Sequence, residues 1–172
     1  GDLLTLSKMQ NPDFVIEKEL VDVVQILHDL VRAVSKIAEE KQVTVVFDCD
    51  REYCLMYGDY GRLRQMFLVI LDNAVKFSNE GGEVKVQITK GDKLTIRIKD
   101  NGIGIAPEEL PFVFDKFYKS KLRQNAKGSG LGLAIAKQIA LKHEGTIDIH
   151  SELSKGTEFI FRFHPIDEEE FV

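Results

Sequence analysis

Residues that could bind a phosphorylated ligand are concentrated in two glycine-rich stretches and on one helix. The first stretch reads Asp100-Asn101-Gly102-Ile103-Gly104-Ile105. Its carboxylate follows a predicted strand, and its glycines permit positive φ and let a ligand approach the backbone. An aspartate held there can accept a hydrogen bond from an exocyclic amine, such as that of adenine. An ordinary Asn-Gly turn is the alternative, and this stretch alone would favour the turn.

The second stretch leads into a predicted helix and reads Gly128-Ser129-Gly130-Leu131-Gly132-Leu133. Glycines at a helix N-terminus expose unpaired N–H groups at the positive end of the helix dipole, which suits a phosphate. The stretch is not a Walker A loop, which needs Lys-Ser or Lys-Thr after its last glycine, and it does not match the dinucleotide fingerprint. A flexible hinge before the helix is an equally good interpretation of this loop by itself.

The third signal is a helix predicted over residues 59–77, with Asp59 as its N-cap. Asn73 adjoins the apolar stripe of this helix, where an amide needs a partner such as a metal ion or a phosphate. Lys76 lies one turn further on and could supply positive charge to the same ligand. If the helix were the only signal, an ordinary amide and a solvated lysine at a helix end would be the better interpretation.

The spacing of apolar residues predicts the elements that would position these groups. Helical spacing marks four segments, residues 2–10, 20–41, 59–77 and 130–143. Strand patterns mark seven segments, residues 14–16, 43–47, 53–57, 83–88, 94–99, 145–151 and 157–163. Turns at 90–93 and 154–156 join the last four strands into two hairpins. This order predicts an α+β fold, a mixed sheet with helices packed on one face.

Composition narrows the class of protein. The 172 residues are enough for one domain with a sizeable core. Acidic residues outnumber basic ones by 28 to 23, and the net charge of -5 argues against a nucleic-acid partner. No apolar run is long enough to cross a bilayer and no signal peptide is recognisable, so we expect a cytoplasmic domain. Cys49 and Cys54 lack metal-site spacing and are expected to be free thiols.

Taken together, the motifs resemble those of sensor histidine kinases, in the family's order and at similar separations. The asparagine box runs from Asp59-x-x-Arg62-Leu63-x-Gln65 to Asp72-Asn73-Ala74-Val75-Lys76-Phe77-Ser78. The two glycine boxes are the stretches that begin at Asp100 and Gly128. The phenylalanine box is Val113-Phe114-Asp115-Lys116-Phe117-Tyr118-Lys119, and the closing box is Gly156-Thr157-x-Phe159. Each motif is weak alone, but their ordered combination is very specific.

The resemblance implies the catalytic and ATP-binding domain of a histidine kinase, with ATP and Mg²⁺ as cofactors. Its fold would be a two-layer α/β sandwich, a mixed and mostly antiparallel sheet covered on one face by three helices, with a long ATP lid. Asn73 would hold Mg²⁺ and act with Lys76 in catalysis, Asp100 would bind the adenine amine, and Thr157 would lie near the adenine. The other implied ATP contacts are Phe77, Gly102, Ile103, Gly104, Ile105, Phe117, Tyr118, Lys119, Lys121, Gly128, Ser129, Gly130, Leu131, Gly132 and Leu133.

The lid is expected over residues 111–127, as a mobile segment that ATP orders. Its apolar anchors are Phe112, Val113, Phe114, Phe117 and Tyr118, with Phe114 and Phe117 as the two that the resemblance implies. Lys119, Lys121 and Arg123 could help to neutralise the γ-phosphate, and the sequence does not choose among them.

Two features depart from the family's pattern. Val69 stands one turn before Asn73, where many relatives have Asn, His or Glu, and where hydrolysing relatives use a Glu to activate water. The family's phosphoacceptor histidine lies on a dimerising helical hairpin, and we expect the pair His28-Asp29 to be an ordinary surface feature instead. Residues 1–11 resemble the last turns of that hairpin, followed by the ATP-binding domain over 12–166 and an acidic tail over 167–172.

The implied function is transfer of the γ-phosphoryl group of Mg-ATP to a histidine on a separate helical domain, for relay to an aspartate of a response regulator. The implied partners are ATP, the helical hairpin of a homodimeric parent kinase that could be membrane-anchored, and the response regulator. Two alternatives remain. One is an anti-sigma-factor type serine kinase with the same fold, and the other is a nucleotide-sensing interaction module with weak catalysis.

Overall fold

Four helices and seven strands make up the part of the chain that this computed structural model describes, residues 1–119 and 130–167. The helices are α1 (Asp2–Gln10), α2 (Val23–Glu40), α3 (Tyr60–Lys76) and α4 (Gly132–Lys142). The strands are β1 (Glu19–Asp22), β2 (Thr44–Asp48), β3 (Leu55–Gly58), β4 (Glu83–Lys90), β5 (Leu94–Asp100), β6 (Thr146–Glu152) and β7 (Gly156–Phe163). A short 3₁₀ turn, Leu110–Phe112, follows β5.

The main sheet has five strands in the order β2-β4-β5-β7-β6. Strand β2 pairs with β4 in parallel, and the other pairs are antiparallel, so the predicted mixed and mostly antiparallel sheet is confirmed. Both predicted hairpins, β4–β5 and β6–β7, are present. Strands β1 and β3 form a separate antiparallel pair.

The alternation along the strands explains why helices cover only one face of the sheet. Ile96 and Ile98 of β5 and Phe161 of β7 are buried toward the helices, where Phe161 meets Phe67 of α3 edge to face at 5.3 Å between centroids. The opposite face carries charged residues in cross-strand pairs. The Arg97–Glu158 pair at 3.3 Å is one of them, and such partly exposed pairs contribute little to stability.

Side-chain caps fix where the two long helices begin. The Asp22 carboxylate accepts from the Val24 N–H at 3.0 Å and so caps α2, while it also accepts from the Cys54 N–H at 3.0 Å. The Asp59 carboxylate accepts from the Arg62 N–H at 3.1 Å and caps α3, as the sequence predicted. The Asp22 cap thereby also ties the start of α2 to Cys54, the residue before β3. The Asp59 cap begins α3 directly after the end of β3.

Some element boundaries differ from the prediction. Residues 14–16 form no strand; the strand lies at Glu19–Asp22 instead, and α2 consequently begins at Val23 rather than at residue 20. The helical spacing from Leu20 onward concealed this strand, whose partner β3 lies 33 or more residues further along the chain. Helix α4 begins at Gly132, not at Gly130, because the φ of Gly130 is 75° and lies outside the helical region.

Helix α1 packs against the core rather than standing apart from it. Leu6 and Met9 are buried, and the Lys142 ammonium donates to the carbonyls of Asn11 at 2.8 Å and Phe14 at 2.7 Å. A nine-residue helix is marginal alone, so burial of its apolar side chains accounts for its order. Within residues 1–119 and 130–167, none of the helices is long and apolar enough to cross a lipid bilayer. Cys49 and Cys54 are free, as expected.

His143 joins the end of α4 to the corner where α3 begins. Its Nε2 accepts from the Asp59 N–H at 3.0 Å, and its Nδ1 lies 2.7 Å from the Ile139 carbonyl, to which it must donate. Both contacts are made together only by the neutral ring. Burial holds the pKa of His143 below its ordinary value, although the hydrogen bond to Ile139 opposes that shift.

We expect the stability of the domain to fall as the pH drops below about 6.5, the ordinary histidine pKa. Below that pH, His143 is protonated in the unfolded chain but stays neutral in the folded protein until its lower folded-state pKa is reached. Because the unfolded state binds more protons in this pH range, acid favours unfolding there. Urea unfolding at pH 7.5 and 5.5 measures the loss. His143→Gln keeps a donor and an acceptor without titrating, and it should show a smaller loss; an equal loss in this variant would contradict the assignment.

Candidate functional site

A row of three polar residues crosses the inner face of the sheet at one end. Asp100 ends β5, and by the register that pairs Lys99 with Glu158 it lies opposite Thr157 of β7. Thr157 in turn is paired with Ser151 of β6. The neighbouring row on the same face is apolar, formed by Ile98, Phe159 and Ile149. The three polar side chains therefore stand where the apolar core ends, with Asp100 and Thr157 buried.

The Asp100 carboxylate is oriented by the backbone around it. Its Oδ1 accepts from the Gly102 N–H at 2.9 Å and from the Thr157 N–H at 3.3 Å, and only 4% of the residue is exposed. A carboxylate is an acceptor, and hydrogen bonds to N–H groups fix its direction. The predicted role of Asp100 as an acceptor for a ligand amine is compatible with this arrangement.

The glycines of the first box are needed because two other backbones pass close to them. A Cβ on Gly102 would lie 2.1 Å from the Phe77 carbonyl oxygen at the end of α3, and the Ile103 N–H donates to that same carbonyl at 3.2 Å. Gly104 has a φ of 72°, and a Cβ there would lie 2.0 Å from the Glu152 carbonyl oxygen. This box is thus clamped between the C-terminus of α3 and the β6–β7 hairpin.

Helix α3 meets both glycine boxes along a single row of residues. Val69, Asn73 and Phe77 are spaced four apart, so their side chains share one face of the helix. A Cβ on Gly132, at the start of α4, would lie 3.1 Å from Val69 Cγ1, and the Phe77 carbonyl contacts the first box. Asn73 lies midway, one turn from each contact. It is half-buried, and its amide has no hydrogen-bond partner within the described part of the chain.

Lysine side chains supply positive charge at the end of α3. The Lys76 ammonium lies 3.5 Å from the Asp72 carboxylate in a partly exposed pair. Lys41, at the end of α2, donates to the carbonyls of Val75, at 2.9 Å, and Lys76. It thereby satisfies C-terminal helix carbonyls that have no partner within the helix. Burial, followed by the nearby positive charge of Lys76, lowers the pKa of Lys41.

The phenylalanine box is docked on the core by its first residues, whereas two of the predicted anchors in this region are exposed. Val113 is buried, and Phe114 packs edge to face on Phe159 at 6.3 Å, with the Lys137 ammonium 5.2 Å from its ring centroid. Phe112 and Phe117, in contrast, are 53% and 61% exposed, so the expectation that they anchor the segment is wrong. The Tyr118 hydroxyl donates to the Glu109 carboxylate at 2.7 Å.

The second glycine box is only partly within the described residues. Lys121, Arg123, Gly128 and Ser129, and with them the centre of the predicted lid, lie outside them. A Cβ on Gly130 would lie 2.8 Å from the Cα of Phe117, so the phenylalanine box ends beside this glycine. Leu131 is buried and Leu133 packs against the core, and Ile105 near the first box is also buried. Contacts of these residues with a ligand would thus come from the backbone.

Two residues of this region, Ser151 and Lys41, were not predicted from the sequence. Ser151 Oγ accepts from the Ile105 N–H at 2.8 Å and so holds the end of the first glycine box to β6. If the pairing register of β6 and β7 is counted outward from the predicted 154–156 turn, Ser151 lies opposite Thr157. The sequence could therefore have indicated Ser151 as a neighbour of the site. Lys41 gave no such signal, because it lies 34 residues before the first carbonyl that it contacts.

The segments that form this site match a known protein family. The sequence pattern of the histidine kinase-, DNA gyrase B-, and HSP90-like ATPases matches residues 58–167. The chain belongs to this family. The matched range contains α3, both glycine boxes, the phenylalanine box and the polar row.

Individual relatives narrow the class of ATPase domain. The sensor protein SrrB of Staphylococcus aureus is 33% identical over 165 residues, which are 94% of this chain and 28% of SrrB. The mycobacterial sensor histidine kinase MprB superposes with a TM-score of 0.77 at 30% identity, over 86% of this chain and 100% of that one. Full-length ShkA in complex with AMPPNP superposes with a TM-score of 0.83 at 27% identity, over 96% of this chain and 35% of ShkA.

These similarities confirm the catalytic and ATP-binding domain of a histidine kinase, and they confirm the predicted fold. The chain spans about 28% of the length of the curated relatives that it matches. It is an ATPase-family domain of the histidine kinase type.

Proposed function

We propose that this domain binds Mg-ATP and transfers its γ-phosphoryl group to a histidine on a separate helical domain, from which the group passes to an aspartate of a response regulator. One observation carries the proposal: both glycine boxes contact α3, one on each side of Asn73. The first of these boxes begins with the buried carboxylate of Asp100. In this proposal a base site and a phosphate site are adjacent on one surface.

The base would lie against the polar row. Asp100 accepts from the exocyclic amine of adenine, with Thr157 next to it, since the two lie opposite each other on β5 and β7. Gly102 and Gly104 let the first glycine box lie directly against the Phe77 and Glu152 carbonyls, which holds the box beside Asp100. Phe77, Ile103 and Ile105 would flank the base in the same region. The pocket recognises the base chiefly through acceptors that the backbone has fixed in direction.

The phosphates would lie between α3 and the start of α4. The N–H groups of Gly130, Leu131 and Gly132 are at the positive end of the α4 dipole, and Lys76 adds a full charge. The half-buried amide of Asn73 suits a hard cation, because its oxygen is of the kind that Mg²⁺ prefers. Mg²⁺ bound there with the phosphates would supply further charge neutralisation. Lys119, Lys121 and Arg123 are the candidates to approach the γ-phosphate.

Phosphoryl transfer depends mainly on position and charge neutralisation, so these groups suffice for the protein's part of it. The acceptor imidazole nitrogen attacks the γ-phosphorus, the bond from phosphorus to the β,γ-bridging oxygen breaks, ADP leaves, and the imidazole loses a proton. Val69 occupies the position at which hydrolysing relatives carry a glutamate, and its side chain lies against Gly132. It offers no proton acceptor to a water molecule, which favours transfer over hydrolysis.

The remaining assignments concern the parent protein. We assign residues 1–11 to the end of the dimerising phosphoacceptor hairpin, 12–166 to the catalytic domain and 167–172 to an acidic tail. The parent kinase would be a homodimer with its catalytic domains in the cytoplasm, whether or not it is membrane-anchored, and its partner would be a response regulator rather than a nucleic acid.

The domain alone is expected to bind Mg-ATP without phosphorylating itself. Calorimetry measures the binding, and radiolabelled γ-phosphate measures incorporation with and without the phosphoacceptor hairpin of the parent kinase. The expected product on the hairpin is an acid-labile phosphohistidine. Robust incorporation into the domain alone, or acid-stable phosphoserine on a partner, would contradict the proposal. Binding with no transfer to the hairpin would favour the nucleotide-sensing module.

A further inference from the structure

Three hydrogen-bonding groups converge on the hydroxyl of Ser151. Its Oγ lies 2.8 Å from the Ile105 nitrogen, 3.0 Å from the Gly156 carbonyl oxygen and 2.8 Å from the Thr157 hydroxyl. The Ile105 N–H can only donate, and the Gly156 carbonyl can only accept. The hydroxyl of Thr157 is the one group in this set that could do either.

Counting protons fixes the direction of the contact between the two hydroxyls. Ser151 has a single hydroxyl proton, and the contact with the Gly156 carbonyl requires it, because no other proton is available between those two oxygens. The contact between Ser151 and Thr157 must then use the proton of Thr157. Thr157 therefore donates to Ser151 and has only lone pairs left for any further partner.

We propose that Ser151 makes the Thr157 hydroxyl an obligate acceptor, and that the base pocket for this reason selects a 6-aminopurine over a 6-oxopurine. The inference rests on the proposed function, in which the base lies against Asp100 and Thr157. Both groups then present acceptors directly to position 6 of the purine. An amine satisfies them, whereas a carbonyl oxygen would place lone pairs against lone pairs.

Ser151 in this view is a positioning residue, which acts on the ligand through Thr157. Removing its hydroxyl frees the proton of Thr157, which can then turn and donate to a 6-oxo group. Asp100 still disfavours that group, so discrimination is reduced rather than lost. The Ile105 N–H also loses its acceptor, which weakens binding of every nucleotide alike. The ratio of two affinities separates these effects.

The test compares ADP with inosine diphosphate, two ligands that differ only in the six-membered ring of the base. Calorimetry in the presence of Mg²⁺ gives both dissociation constants for the wild-type domain and for Ser151→Ala. The wild-type domain should prefer ADP, and Ser151→Ala should reduce this preference on the order of tenfold, the value of one hydrogen bond. Ser151→Thr keeps a hydroxyl with one proton and should restore most of the preference.

Other results would overturn the inference. If Ser151→Ala weakens both ligands by the same factor, Ser151 is only structural. If Ser151→Ala does not fold, Thr157→Val decides, because removal of the Thr157 hydroxyl must also reduce the preference for ADP. An unchanged preference in Thr157→Val would refute the role of that hydroxyl. Failure of the wild-type domain to bind ADP at all would instead refute the proposed function, and the inference with it.

Discussion

Gly102→Ala is expected to remove nucleotide binding and to destabilise the domain by about 3 kcal/mol, the upper part of the range for overpacking a tightly packed site. The added Cβ would lie 2.1 Å from the Phe77 carbonyl oxygen, 2.9 Å from its carbonyl carbon and 3.0 Å from the Cα of Ser78. All three atoms belong to backbone, so no change of rotamer relieves the overlap. The first glycine box must instead move away from the end of α3, and this movement displaces the groups that form the proposed base pocket.

Gly91→Ala is the matched control for this substitution. Gly91 lies in the turn between β4 and β5, and a Cβ there has nothing within 4 Å. Urea unfolding and calorimetric titration with ATP should show a stable, nucleotide-binding Gly91→Ala beside a destabilised Gly102→Ala that binds little. If the two variants bind ATP equally well, close approach of the first box to α3 is not what forms the pocket.

The sequence contained enough to predict most of the sheet and to name candidate residues for the site. The β4–β5 and β6–β7 hairpins followed from alternation around short turns, which is local information. Asp100, Gly102 and Asn73 could be named because their motifs are short and the order of the motifs is specific. Their meeting point could not be worked out from any one motif, since it depends on how α3 and α4 pack together.

What the sequence concealed was non-local. Strand β1 forms because it pairs with β3, and no pattern within residues 19–22 indicates a partner so far along the chain. Lys41 resembles any charged residue at a helix end until α3 is placed beside it. Phe117 was expected to anchor a lid because it is apolar and because the resemblance implied that role, but its φ of 61° belongs to a turn that leaves the ring in solvent. Each case was decided by tertiary context rather than by propensity.

Asp100→Asn is expected to weaken ATP binding by about 1.5–3 kcal/mol, the range for hydrogen bonds to charged groups, which corresponds to about 10- to 150-fold in the dissociation constant. The asparagine oxygen can still accept from the N–H groups of Gly102 and Thr157, so the turn and the fold should persist. The amide NH₂ then takes the place of the other carboxylate oxygen. There it meets the adenine amine donor to donor, and the negative charge is gone.

Asp92→Asn removes the same charge from the exposed turn between β4 and β5, so it controls for the change in net charge. Calorimetry with Mg-ATP should give Asp92→Asn the wild-type affinity and Asp100→Asn a much lower one, while urea unfolding confirms that both variants are folded. Equal affinities in the two variants would mean that the buried carboxylate only holds the glycine turn. In that case adenine would have to be recognised elsewhere, because a fold-preserving amide at Asp100 cannot replace a carboxylate that accepts from the base.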